Sequence, residues 1–220
     1  MQVKAKLDKA KLKFYPDKPN QLGPDRLDEW QESGDYTAEQ KVDGWRIILQ
    51  RAKDGFVALT RHNNSGYSFE FCDVFRNDLE KLLDLVPVGT QIDGEWFGRR
   101  LVDLRLPPKY YAFDVLRWGK DWQINTTLRS RLEFLDGLFE NFQGKSIERV
   151  KSAPKGLSWS AFYQQQIDMG IDSLTEGLVV KHLDSTMEAD RRECKKSGFL
   201  YKIKFRSGNG GDINIEKRRR

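Results

Sequence analysis

The chain of 220 residues reads as an α+β protein, mainly antiparallel sheets flanked by helices. Three observations carry that expectation. Short runs rich in aromatic and β-branched residues recur from Tyr36 to the last third of the chain. An Asp-Gly pair, Asp43-Gly44, sits between two such runs, as in a tight hairpin. The helical periodicities occupy their own stretches, and no internal repeat or low-complexity linker interrupts the pattern.

Taken in order, residues 36–51 predict two strands around Asp43-Gly44, and Phe56 to Thr60 predicts a third. Phe75, Leu79, Leu82 and Val86 then share one face at helical spacing, with Pro87 as the stop. Thr90 to Phe97 and Lys109 to Trp118 read as strands. Leu128, Leu132, Leu135, Phe139 and Phe142 predict the most strongly amphipathic helix, capped by Thr126 or Thr127. A further helix is expected from about Ser158 towards Gly170, and strands from Gly177 to His182 and Gly198 to Arg206. Residues 207–220 are Gly-rich, then basic, and are expected to fray.

Composition sets bounds. The chain is 38% hydrophobic, 12% aromatic and 32% charged, with a mean hydropathy of −0.70. That is enough apolar material for one large domain or two small ones. The net charge of +5 suits a polyanionic partner without identifying one. Cys72 and Cys194 form no C-x-x-C pair, and His62 and His182 do not cluster with them, so neither a zinc site nor a disulfide framework is indicated. A reducing compartment is the default. No apolar run reaches membrane-spanning length, and residues 1–6 lack a secretory apolar core and read as a basic arm.

Five local patterns suggest chemistry. Lys41 lies just before the Asp43-Gly44 turn. A nucleophilic lysine must be neutral, and desolvation or neighbouring cations favour that form. An exposed strand lysine would look the same. Period-two geometry puts Lys202, Lys204 and Arg206 on one strand face, a set that suits a triphosphate or, equally, a solvated edge. Asp93 and Glu95 share a face across Gly94 and could accept ribose hydroxyls or hold Mg²⁺, or could be two solvated acids. Glu176 enters the apolar run Leu178-Val179-Val180 and needs a partner or a metal there, unless it caps the strand end. Phe113 could stack on a purine or belong to the core. Each bland reading competes alone; five in this order are hard to assign to coincidence.

At that point the chain resembles the covalent nucleotidyltransferases, the superfamily of ATP-dependent DNA ligases, RNA ligases and mRNA capping guanylyltransferases. Lys41-Val42-Asp43-Gly44-Trp45-Arg46 matches the K-x-D-G-x-R nucleotidylation motif, and Thr60-Arg61-His62-Asn63 resembles the arginine motif that follows. Asp93-Gly94-Glu95, Tyr111-Ala112-Phe113-Asp114, Glu176-Gly177-Leu178-Val179-Val180-Lys181 and Tyr201-Lys202-Ile203-Lys204 resemble the remaining motifs. The E-G-L-V-V-K form, and Phe113-Asp114-Val115-Leu116 followed by Leu128-Arg129-Ser130-Arg131, are closest to the adenylation domain of DNA ligases.

The resemblance implies an ATP-grasp-like nucleotidyltransferase domain without an OB-fold domain, adenylation domain 1–206 and basic tail 207–220. It implies Lys41 as the nucleophile that forms lysyl-AMP from ATP. It also implies Lys202 and Lys204 on the α-phosphate, Glu95 on the ribose, Phe113 on the adenine and Glu39 at the adenine amino group. Arg46 and Arg61 would contact the nucleotide or the nick phosphate, and Glu95 and Glu176 would serve Mg²⁺ or Mn²⁺. The implied partner is nicked duplex DNA, met by a monomer in the cytoplasm or nucleoid, with a phage or viral enzyme acting in a host cell as one source. RNA ligase, capping guanylyltransferase, an excised domain of a larger ligase, and a non-catalytic nucleic-acid-binding module are the alternatives. Met1 and the tail lean towards a complete small gene product, with Lys217 to Arg220 contacting backbone phosphates.

Overall fold

The computed structural model describes residues 17–60, 73–97, 108–169, 175–187 and 196–205. The chain divides into two compact units. The first comprises Met1–Asp17, Gly44–Val150 and Asp184–Lys195, the second Lys18–Asp43, Lys151–Leu183 and Lys196–Arg220. The expected α+β class is what is found. The ends of the chain, with the N-terminal lysines, Arg206 and the basic tail, lie outside the described residues.

The second unit is built on a four-stranded sheet. Its strands are β1 (Lys18–Gln21), β2 (Tyr36–Val42), β9 (Thr175–His182) and β10 (Lys196–Lys204), in the order β1-β10-β9-β2. The β10-β9 and β9-β2 pairs are antiparallel, and β1 runs parallel to β10. One face is apolar. Ala38, Leu178, Val180 and Ile203 project from it onto Leu27 and Trp30 of α1 (Leu27–Ser33) and Trp159 and Phe162 of α4 (Trp159–Asp168). Ser158 caps α4, accepting from the Ala161 amide at 3.1 Å. Gln31 ties the two helices: it donates to the Leu157 carbonyl at 3.0 Å and accepts from the Trp159 amide at 2.7 Å.

The first unit holds a six-stranded sheet. It contains β3 (Trp45–Ala52), β4 (Gly55–Thr60), β5 (Gln91–Phe97), β6 (Lys109–Trp118) and β7 (Asp121–Trp122), in the order β4-β3-β5-β6-β7. The short β8 (Ile147–Arg149) lies parallel to β6. Ile47, Leu49, Ile92, Trp96, Tyr110, Ala112 and Val115 line the face packed by α2 (Asp73–Leu85) and α3 (Leu128–Asn141). Their partners are Phe75, Leu79 and Leu82 of α2, the face that helical spacing anticipates, and Leu135 and Leu138 of α3, where Leu138 was not in the expected set and Phe139 is only partly buried. Thr127 is the cap of α3, its hydroxyl accepting from the Ser130 amide. Gly94 is needed by close approach: a Cβ there would stand 2.4 Å from Tyr110 Cζ. Tyr110 passes under it, donating to the carbonyls of Ile47 and Ile92 at 3.0 and 2.9 Å.

One expectation is corrected. Asp43-Gly44 is not a hairpin turn, because β2 pairs with β9 whereas β3 pairs with β4 and β5. The dipeptide joins strands of two different sheets. The two-residue hairpin lies one strand later, where Ala52 pairs with Gly55 around Lys53-Asp54. β3 is paired with β4 along one edge and β5 along the other, so its main-chain groups are already bonded and no edge is left for β2. The short β1, α1, β7 and β8 were not anticipated.

Asp78 of α2, 1% exposed, anchors the approach to β8. One carboxylate oxygen accepts from the amides of Lys145, Ser146 and Ile147 and from the Ser146 hydroxyl at 2.6–3.2 Å. Burial opposes its charge, but these bonds outweigh burial and hold the pKa below the ordinary aspartate value. A lowered folded pKa contributes stability above the unfolded pKa and loses it as pH falls through the folded value. Asp78→Asn is therefore expected to cost about 3 kcal/mol at neutral pH, with the cost shrinking in acid. Urea unfolding of both proteins at neutral and acidic pH checks it, and an equal cost at both would contradict it.

Candidate active site

On the face of the four-stranded sheet opposite its apolar core, three cross-strand rows carry the polar side chains. Lys41, Gly177 and Lys204 form one row, Glu39, Val179 and Lys202 the next, and Thr37, Lys181 and Leu200 the third. The central member of the first row has no side chain, so the two lysines that flank it meet over Gly177. Between them stands the Glu176 carboxylate. Oε1 pairs with the Lys41 ammonium, and Oε2 accepts from Lys204 Nζ at 2.6 Å.

Glu176 reaches this face because the ladder is irregular there. Lys41 pairs with Gly177 and Val42 with Thr175, leaving Glu176 as the extra residue of a one-residue bulge. Strict alternation would have turned it away from Lys41. Gly177 takes a φ of +147°, and a Cβ on it would stand 1.8 Å from the Ile203 carbonyl oxygen. Burial opposes the Glu176 charge, but Lys41 and Lys204 more than offset it, so its pKa lies below the usual glutamate value. To act as a nucleophile Lys41 must leave this partner and lose its proton.

Glu39 and Lys181 form a second ion pair on the same face, Nζ to Oε2 2.5 Å apart. They are 1% and 6% exposed. Charges so deep persist only when paired. Lys181 received no role from the sequence; the signal was a lysine closing an apolar run, which demands a counter-charge.

The six-stranded sheet carries the other candidates on the face away from α2 and α3. Arg46 and Glu95 are direct cross-strand neighbours. The Arg46 guanidinium grips Asp93 with Nε at 3.0 Å from Oδ1 and Nη2 at 2.5 Å from Oδ2, and donates to the Asp17 carbonyl at 2.9 Å. It also lies over the Phe113 ring, 5.3 Å from the centroid. Asp93 is fully buried, so its place is beneath Arg46. A further bulge explains Phe113: Asp93 pairs with Asp114 and Gly94 with Ala112, which makes Phe113 the extra residue of β6. Asp114 is bound in turn by Arg131 of α3, Nε to Oδ1 at 2.8 Å and Nη2 to Oδ2 at 3.1 Å.

The structure thus brings Lys41, Glu39, Glu176, Lys202 and Lys204 together on one sheet, and Arg46, Glu95 and Phe113 together on the other. Arg61 lies outside the described residues. The pairs Arg46–Asp93 and Arg131–Asp114 were not anticipated, although Arg131 stood in a motif that had been noticed.

The sequence profile described as RNA ligase matches residues 34–204. The chain belongs to the RNA ligase family. Solved structures agree on the fold of this family member, a ligase nucleotidyltransferase domain. Mycobacterial DNA ligase D complexed with ATP and MES superposes with a TM-score of 0.66 at 16% identity, over 88% of this chain and 61% of that one. A Lig E DNA ligase, described as binding DNA with a minimal scaffold, gives 0.54 at 19% identity, over 86% and 68%. Chlorella virus DNA ligase-adenylate gives 0.53 at 17% identity, over 88% and 69%. The chain spans about three fifths of the ligase D chains it resembles. No curated protein sequence matches it. Among the described residues, no helix is long and apolar enough to cross a membrane.

In this RNA ligase family member the Glu176-Gly177 bulge puts Glu176 between Lys41 and Lys204. Gly177→Ala is expected to cost more than about 2 kcal/mol of stability, because backbone must move to admit the methyl. It should also reduce covalent labelling by ATP at least tenfold, since Glu176 and the strand under Lys41 shift together. Denaturant unfolding and a labelling gel measure the two; wild-type values in both would contradict the role given to the bulge.

Proposed function

We propose that this chain is the catalytic domain of an ATP-dependent polynucleotide ligase that seals 5′-phosphate/3′-hydroxyl nicks in duplex DNA. The observation that carries the reading is the meeting of Lys41 and Lys204 at the Glu176 carboxylate. An anion is already accommodated there between two ammonium groups, where a phosphate would be.

In this reading Lys41 Nζ attacks the α-phosphorus of ATP. A P–N bond forms, the bond to the β-phosphate breaks, and pyrophosphate leaves with its electron pair. The lysyl-AMP then yields its AMP to the 5′-phosphate of the nick, regenerating the amine. The 3′-hydroxyl attacks that activated phosphorus, loses its proton and expels AMP. Lys202 and Lys204 neutralise the α-phosphate, which is most of what phosphoryl transfer asks of a protein. Glu39 accepts from the adenine amino group, Glu95 accepts from the ribose hydroxyls, and Phe113 offers a ring face to the purine. Arg46 and Arg61 are assigned to the nucleotide or the nick phosphate.

Mg²⁺ or Mn²⁺ would supply further neutralisation of the phosphates. Among the described residues no group of three or more His, Cys, Asp or Glu side chains converges. A cation held by one or two carboxylates and phosphate oxygens suits Mg²⁺, and Glu176 and Glu95 are the carboxylates assigned to it. A monomer acting on DNA in the cytoplasm or nucleoid, with residues 1–206 as the adenylation domain and 207–220 as a phosphate-binding tail, completes the proposal.

A second reading has its own support: the matching profile is that of RNA ligases. The test presents one purified chain with 5′-phosphorylated nicked duplexes having DNA or RNA at the joined ends, with ATP and Mg²⁺. Sealing of the DNA nick in preference to the RNA nick is expected; the reverse preference would overturn the DNA assignment. Lys41→Ala should fold normally, take no label from radioactive ATP and lose at least 10³-fold in sealing. Sealing by that variant would overturn the mechanism.

A further inference from the structure

Phe113 and Asp114 are adjacent in β6, and alternation would send them to opposite faces of the sheet. The bulge prevents this. Asp114 stands across from Asp93 on the face away from the helical core, and the Phe113 ring stands against Arg46, which itself holds Asp93. An extra residue leaves the ladder locally without its bonds, and a pair of facing aspartates adds repulsion between strands. Each acid has its own arginine. Asp93 has Arg46; Asp114 has Arg131, 5% exposed, whose two-pronged grip is completed by donation from Nη1 to the Thr126 carbonyl at 2.7 Å. Asp114 Oδ1 also accepts from the Val115 amide at 2.8 Å, tying the same carboxylate to the strand beyond the bulge.

We propose that Arg131 is a positioning residue for nucleotide binding: through Asp114 it locks the β6 bulge and so sets where the Phe113 ring meets the purine. The proposal rests on the reading of Phe113 as the purine platform. Arg131 belongs to α3, one turn into the helix that Thr127 caps, so the guanidinium is delivered by a rigid element. Lysine keeps the charge but cannot reproduce a planar two-pronged grip on a carboxylate. The ring of Phe113 reads only the face of a base, a ground-state contact. Its displacement therefore weakens ATP binding and leaves the step after binding largely intact.

The experiment measures ATP-dependent labelling of Lys41 under single turnover, giving the ATP concentration at half-maximal rate and the maximal rate. It uses wild type, Arg131→Lys, Asp114→Asn, Phe113→Ala and each of the first two combined with Phe113→Ala, with melting temperatures alongside. Arg131→Lys and Asp114→Asn are each expected to raise the half-saturating ATP about tenfold with a maximal rate within about twofold of wild type. In the Phe113→Ala background neither should raise it further. Full additivity with Phe113→Ala would overturn the proposal, as would a fall confined to maximal rate or melting temperature. An unchanged half-saturating ATP in Phe113→Ala alone, with Arg131→Lys still impaired, would instead overturn the purine-platform reading. Asp114→Asn provides the same comparison if Arg131→Lys does not fold.

Discussion

The Glu176 carboxylate, held between two lysines over a glycine, is the constraint on which the polar face of the four-stranded sheet depends. Lys41 and Lys204 lie on the two strands flanking β9, and Glu176 is their common counter-ion. Two ammonium groups brought together without an anion would repel; with one, the outer strands are drawn towards the middle strand. The arrangement also leaves a buried carboxylate where, in the proposed function, an oxyanion of a nucleotide would be welcome. Structure and proposed chemistry therefore use the same electrostatics: a place that needs an anion in the absence of nucleotide is suited to one in its presence.

Both sheets reach this state by the same means. Each has an apolar face that buries helices and an opposite face that carries candidate residues; in the six-stranded sheet that opposite face also holds the buried cluster of Ile48, Val57, Leu59, Leu116 and Met187. In each, a bulge next to the candidate residues breaks the alternation so that an additional side chain joins their face. In β9 the bulge adds Glu176 to the lysines; in β6 it adds Phe113 to Arg46, Asp93 and Asp114. Bulges cost ladder bonds, and both are secured by ion pairs, Glu176 by two lysines and Asp114 by Arg131. Buried pairs of this kind are poor sources of net stability, because desolvation offsets much of the attraction, while loss of one partner leaves a costly uncompensated charge.

Much of this was legible in the linear chain. Strand runs and the faces of α2 and α3 followed from periodicity, since burial on one side of a helix or strand leaves a repeat of 3.6 or 2. Side-chain chemistry pointed to Thr126 or Thr127 as the cap of α3, and Thr127 is the one used; the helix start near Ser158 was also expected, and its capping role came from the structure. The hairpin at Asp43-Gly44 did not hold, because an Asp-Gly pair reports a tight bend and not which strands pair across it. The same dipeptide pattern at Asp54-Gly55 does sit at a hairpin. Lys181, Asp93, Asp114 and Arg131 acquired partners that no local pattern names, since each partner lies between 17 and 142 residues away.

By itself, then, the amino-acid order determined the class of fold and the helical faces, and it offered the candidate site residues. Those properties arise from local geometry and from the order of motifs along one strand or turn. Only the tertiary structure decided that Glu176 lies between Lys41 and Lys204, that Glu39 is bound to Lys181, and that Phe113 shares a face with Asp114. The reason is physical: register and bulges are settled by the pairing of strands distant in sequence, and a shift of one residue exchanges every side chain between the two faces of a sheet.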